Sequence, residues 1–198
     1  MNKINNTELK RKIFHILIGI IGIFLLIYNL ITPFQIFIIL IIGIFISLLS
    51  LKIKIPLISY FLNHFEREKD MKELPGRAVI FGVAGSLLVL KLFPKNIALA
   101  SITILIFADP LSHIIGRVFG KTKSFLDNKK NIEGHLSGFI ISSLLAMFFV
   151  PFCLAIPGAL IAMLFESLVI EIQKIKLDDN LIIPLVAGTT MYLIRLII

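Results

Sequence analysis

Long uncharged apolar runs, separated by short polar stretches, organise the 198-residue chain. Ile13–Leu30 and Pro33–Leu51 approach or reach the roughly 20 apolar residues that cross a bilayer as a helix. Seven such runs can be drawn, over about 13–30, 33–51, 77–93, 96–116, 134–151, 154–173 and 181–198. They predict an all-α polytopic membrane protein forming one integral domain over 1–198. Between the second and third runs, Ile55–Glu66 is too short and too polar to span. Its apolar positions Ile55, Ile58, Leu62 and Phe65 recur at helical spacing, which predicts an amphipathic helix over 55–66 lying in the interface. The E-R-E-K-D-M-K-E that follows reads as a solvated charge run.

Composition supports the pattern. Hydrophobic residues make up 58% of the chain and the mean hydropathy is +0.99, beyond the roughly 45–50% apolar content of soluble domains. The first run is long and lacks a small-residue cleavage site, which argues against a cleaved leader. Cys153, the lone cysteine, excludes an intramolecular disulfide and reads as a small apolar residue. No internal repeat suggests the duplicated halves of many transporters.

The net charge of +8 raises the question of nucleic acid. Basic residues sit in short loops without interleaved aromatics, so a base-stacking surface is excluded and a membrane surface or phosphorylated substrate is favoured. With seven spans, every Lys and Arg falls on one side except Lys91, Lys95 and Arg195. The positive-inside rule then predicts a cytosolic N-terminus and an outer C-terminus.

Against that frame the candidate chemistry lies on the cytosolic side. Asp109 sits inside the fourth run, eight residues before Arg117, about 12 Å of helix from its end. Pro110 removes a backbone donor and disfavours helical geometry at Asp109, so a kink or break is expected. A carboxylate there suits magnesium, which takes one or two carboxylates plus substrate phosphates; a buried ion pair with a Lys or Arg is the competing reading. Gly116, Arg117, Gly120 and Lys121 follow, reading G-R-V-F-G-K-T. That is one residue short of a P-loop and follows a membrane helix, so only its phosphate-binding physics carries over. Lys130, Glu133 and Gly134 lead into the fifth run, where Glu133 serves either as a second metal ligand or as a helix cap. His113 and His135 read as polar linings. Arg11 and His15 share a face at the start of the first run. Glu166 and Glu171 are expected in the inner half of the sixth run, and Asp178, Asp179 and Asn180 in the last cytosolic loop, where Asp179 or Asn180 is a candidate N-cap. The outer loops 28–33 and 149–157 hold no charge. One-sided chemistry favours an enzyme over a pore or carrier, which needs polar groups near the midplane.

These residues resemble a known family. D-P-L-S-H-I-I-G-R-V-F-G-K (109–121) followed by K-N-I-E-G (130–134) is similar to the D-x-x-[AS]-x-x-x-G-R-x-x-G … K-x-x-E-G block of the CTP-dependent lipid-alcohol kinases. That family includes dolichol, phytol and farnesol kinases and CTP-using diacylglycerol kinases. E-L-K-R-K-I-F-H (8–15) resembles its R-K-x-x-H opening, and D-D-N-L-I-I-P-L (178–185) its D-N-L-x-I-P-L ending. Ala108 stands where the family commonly has Gly, and only Ser112 matches the Ala-Ser that commonly follows the aspartate. The central block also resembles the phosphatidate cytidylyltransferases, whose closing K-D and D-R-x-D-S element is absent here.

The resemblance implies transfer of the CTP γ-phosphoryl group to the hydroxyl of a membrane lipid alcohol, polyprenol-like or diacylglycerol-like, at the cytosolic face of a cell or endoplasmic-reticulum-type membrane. Asp109, with Glu133, would hold magnesium. Arg11, Arg117, Lys121, Lys130 and Asn180 would meet the triphosphate, with Gly116, Gly120 and Gly134 giving backbone access. His15 or Asp179 would orient the hydroxyl. Cytidylyl transfer onto a lipid phosphate is the sister chemistry, and a transporter the reading from another class.

Overall fold

A computed structural model describes residues 6–66, 68–123, 131–167, 171–172, 175–176 and 178–198. The helices are α1 (Asn6–Ile27), α2 (Pro33–Ser50), α3 (Pro56–Phe65), α4 (Glu68–Glu73), α5 (Arg77–Leu92), α6 (Lys95–Phe119), α7 (Ile132–Ala146), α8 (Phe152–Ser167) and α9 (Asp179–Ile197). Seven of them occupy the seven apolar runs. Three, α2, α6 and α9, are long and apolar enough to cross a membrane, while α7 and α8 are shorter apolar helices.

α6 is the hub. It packs on α1, α5, α7, α8 and α9, and from Ile97 to Ile106 it is buried on every side. One apolar core joins α6 to α7, α8 and α9 around Ile104, Met163, Ile183 and Met191. A second joins it to α1, α2 and α5 around Leu26, Ile36, Val89 and Ile102. Outward, α2 buries only Ile36 and Ser47 and exposes Phe34, Phe37 and Phe45. Together with the exposed apolar side chains of α1, α8 and α9, this far exceeds what a water-soluble surface carries. Lipid is the solvent of this exterior.

Local signals explain the helix ends. Thr32 and Gln35 form a reciprocal capping box with Pro33 at the first helical position, so α2 starts sharply. Gly76 opens α5 at φ 77°, a left-handed conformation that a side chain would strain.

Several expectations shift. α6 continues as helix through Pro110 instead of breaking there; packing on five neighbours outweighs one lost backbone hydrogen bond. α3 confirms a helix within 55–66, stacked on α1 through Phe14 and Phe65 with ring centroids 4.6 Å apart. The charge run 66–73 contains a short helix, α4. Glu171 does not extend α8: it lies in a two-stranded antiparallel sheet, β1 (Glu171–Ile172) and β2 (Ile175–Lys176). The N-cap of α9 is Asp178, not Asp179 or Asn180.

Candidate functional site

A cavity of about 1030 Å³ opens between α1, α5 and α6 and is closed at one end by α3 and the start of α9. At its polar end the Lys12 ammonium donates to Asp109 Oδ2, with Lys12 buried and 20% of the Asp109 side chain exposed. Beside this pair, Arg11 holds Glu8 at 2.7 Å, and His113 Nε2 lies 3.8 Å from the same carboxylate. Across the cavity Arg77 Nε donates to Asp178 Oδ2 at 3.0 Å. The other Asp178 oxygen accepts the Asn180 backbone and side-chain N–H groups at 3.1 and 3.0 Å. One carboxylate therefore caps α9 and ties it to α5. Buried among these groups, the His15 Nε2 nitrogen has no hydrogen-bond partner among the described residues. Leaving it unpaired is costly unless a ligand or water completes it.

Of the residues singled out from sequence, Arg11, His15, Asp109, Gly116, Arg117, Asp179 and Asn180 line this cavity. Gly120, Lys121, Glu133 and Gly134 do not, and Lys130 lies outside the described residues. Glu133 Oε1 accepts the backbone N–H groups of Lys121 and Thr122 at 3.1 and 2.9 Å, clasping the segment after α6. Its carboxyl is held below the usual carboxylate range, chiefly by a hydrogen bond with its own backbone N–H and then by those two amides, with burial opposing. The structure thus separates Glu133 from the cavity wall that carries Asp109.

The glycines have a second occupation. A Cβ on Gly134 would sit 2.3 Å from the Ser112 carbonyl oxygen and 2.8 Å from Gly116 Cα. One on Gly138 would meet the Ala108 carbonyl oxygen at 2.5 Å. Backbone touches backbone where α6 crosses α7, directly beneath Asp109. Asn131 completes the joint by donating from Nδ2 to the Gly116 carbonyl.

A CTP-dependent diacylglycerol kinase of Schizosaccharomyces pombe is 31% identical over 133 residues, taking in 59% of this chain and 59% of that kinase. Uncharacterized proteins of Methanocaldococcus jannaschii and Rickettsia prowazekii are 31% and 30% identical over 184 and 190 residues, covering 91% and 90% of each chain. The chain thus spans 59% of the length of that kinase and nearly the whole length of the two uncharacterized relatives. No family model matches it, and no solved structure does.

Several cavity residues were not singled out from sequence. Lys12 was visible only as part of the R-K-x-x-H resemblance, although its position next to Arg11 and three before His15 places it on the same helical face. Glu8 stands three residues before Arg11, a spacing that signals their ion pair. Arg77 looked like one loop charge among many; nothing local in the sequence announces a partner 101 residues away. Glu166, expected near the site, lines the cavity and lies 3.4 Å from His135 Nδ1.

Proposed function

We propose that this protein transfers the γ-phosphoryl group of CTP to the hydroxyl of a membrane lipid alcohol, with its site facing the cytosol. The observation that carries the reading is the cavity itself: charged groups from α1, α5, α6 and α9 gather at one end of a chamber whose remaining wall is apolar. The match to a CTP-dependent diacylglycerol kinase supports the nucleotide and a lipid acceptor of that class.

In the proposed step the lipid hydroxyl oxygen forms a bond to the γ-phosphorus as the bond from that phosphorus to the β–γ bridging oxygen breaks. CDP departs with the electron pair, and the hydroxyl proton passes to a cavity base. Catalysis of this kind is mostly positioning and charge neutralisation. Arg11, Arg117 and Lys12 meet the triphosphate oxygens, and the sequence resemblance adds Lys121 and Lys130 as further phosphate partners. Asn180 and Asp179 complete the wall. His15, whose Nε2 is unpaired, holds the acceptor hydroxyl.

Among the described residues no three His, Cys, Asp or Glu side chains form a metal-holding group. A magnesium ion arriving on a triphosphate needs only one or two carboxylates; Asp109 would supply one in exchange for its Lys12 partner. Bound there, the ion would offset phosphate charge.

The test is transfer from CTP labelled at the γ-phosphate. Label in an extracted lipid is the expected result. Label released as pyrophosphate, with cytidylyl appearing in lipid, would instead identify the cytidylyltransferase reaction, and flux across proteoliposomes without nucleotide turnover would identify a transporter.

A further inference from the structure

Three helices change chemistry at one level of the cavity. On α1 a single stripe at helical spacing is polar at Glu8, Arg11, Lys12 and His15, then apolar at Ile18, Gly22 and Leu25. On α6, which approaches from the other end, the stripe is apolar at Ile102, Leu105 and Ile106 and becomes polar from Asp109 onward. On α5 the cavity face passes from Arg77 to Val79, Gly82 and Val83, with the uncharged Ser86 beyond them. The chamber is therefore amphipathic along its length, with His15 at the boundary.

The apolar part is long. From Lys12 to Leu26 along α1 is about 21 Å at 1.5 Å per residue, most of the roughly 30 Å hydrocarbon thickness. A shallower pocket of about 370 Å³ shares Leu25, Ile31 and Ile39 with the far end and reaches Gln35. The track stays open because α1 packs on α6 and α3 while α2 packs on α5. Gly22 and Gly82 line it, and a Cβ added at either would meet nothing within 4 Å. Gly19, one turn from Gly22, differs: its Cβ would strike Ile106 at 2.4 Å, so it brings α1 onto α6.

We infer that this groove holds one hydrocarbon chain of the acceptor lipid, seated with its hydroxyl beside His15 and its tail running past Gly22 and Gly82. The inference deepens the lipid-kinase reading and rests on it for the identity of the head group. Continuity of the groove with the charged end commits the occupant to an amphipathic lipid lying parallel to the helices. Moving a tail from bilayer to groove gains little hydrophobic free energy, because lipid tails are as apolar as the lining. The groove acts by steric selection and by holding the hydroxyl in register.

The test uses 1,2-dioleoylglycerol and 1,2-dioctanoylglycerol in mixed micelles with γ-labelled CTP and the full chain. Gly22→Leu and Gly82→Leu should each shift the kcat/KM ratio by about tenfold or more toward the short-chain acceptor. Gly43→Leu, on α2 outside the cavity and equally free of contacts, should leave the ratio unchanged. Unchanged ratios in all three variants overturn the groove. A separate readout keeps the two readings distinguishable. Irradiation of the wild-type protein with a diacylglycerol bearing a diazirine at one chain end should cross-link the 31–39 segment, in competition with dioleoylglycerol. If label reaches no lipid but this competed cross-link forms, the kinase reading falls and the groove stands. If cross-links scatter over the outer faces of α7 and α8, the groove falls, whether or not the leucine variants fold.

Discussion

Lys12 and Asp109 lie 97 residues apart in sequence and meet as an ion pair at the head of the cavity. Such a pair is weak evidence of stability, since desolvation cancels much of the attraction, but breaking it strands a charge. Asp109→Asn should cost about 2 kcal/mol, discounted from the roughly 3–5 kcal/mol of a fully buried pair because 20% of the Asp109 side chain is exposed. Adding Lys12→Met removes the stranded ammonium, so unfolding in detergent should return to within about 1 kcal/mol of wild type. Phosphoryl transfer should stay down by more than about a hundredfold in the double variant. Recovery of activity there would make the pair purely structural. His15 separates the substrates: His15→Ala should raise KM for the lipid by about tenfold and leave KM for CTP within about twofold, as expected for loss of one buried hydrogen bond. Equal effects on both substrates would remove it from the hydroxyl.

At the scale of elements, the α6–α7 crossing is built on absent side chains. Gly138→Ala would press a methyl group against the Ala108 carbonyl, and since backbone cannot swing aside, the helices must part. A cost of about 1–3 kcal/mol is expected. Because Ala108 adjoins Asp109, the same shift should lower kcat more than the stability loss explains, as small misplacements of reacting groups do. Thermal unfolding and turnover on one preparation check both, with Gly43→Ala as the silent comparison. The clasp made by Glu133 adds a pH dependence. Its carboxyl titrates lower in the folded chain than unfolded, so its contribution is present above the ordinary carboxylate range and is lost as pH falls through the lowered value. Protection of the Lys121 and Thr122 amides against hydrogen exchange, relative to their intrinsic rates, should fall over that acid window, and Glu133→Ala should show the same lost protection at neutral pH. Helices were legible in the sequence because apolar periodicity and length survive any tertiary arrangement. The unbroken course through Pro110 was not, since local propensity is outvoted by packing on five neighbours. Nor were the glycine contacts: Gly116 and Gly134 read as backbone access for phosphate, and their part in the helix crossing shows only once α7 is laid on α6.

For the molecule as a whole, the site was legible as a set of one-sided charges and illegible as a set of pairs. Arg11, His15, Asp109, Arg117, Asp179 and Asn180 were gathered by asking which loops share a side. The pairs Lys12–Asp109, Arg77–Asp178 and Asn180–Asp178 depend on helix rotation, which no single run encodes. The chamber was missed for a related reason: each helix, taken alone, shows a polar end and an apolar remainder, like any span. Only their alignment at one level makes an amphipathic cavity. That alignment also sharpens the question of sidedness. If positive charge faces the cytosol, the cavity's polar end, with Lys69 and Arg77 near it, opens inward, and Lys91 and Lys95 lie at the opposite surface. Lys69 is 79% exposed and Lys91 is exposed. On a Cys153→Ser background, Lys69→Cys should therefore resist a membrane-impermeant maleimide added to intact cells and react after permeabilisation. Lys91→Cys should react in intact cells. The reverse pattern would turn the molecule over, placing the charged end where cytosolic CTP never reaches it and removing the proposed reaction while leaving the fold as described.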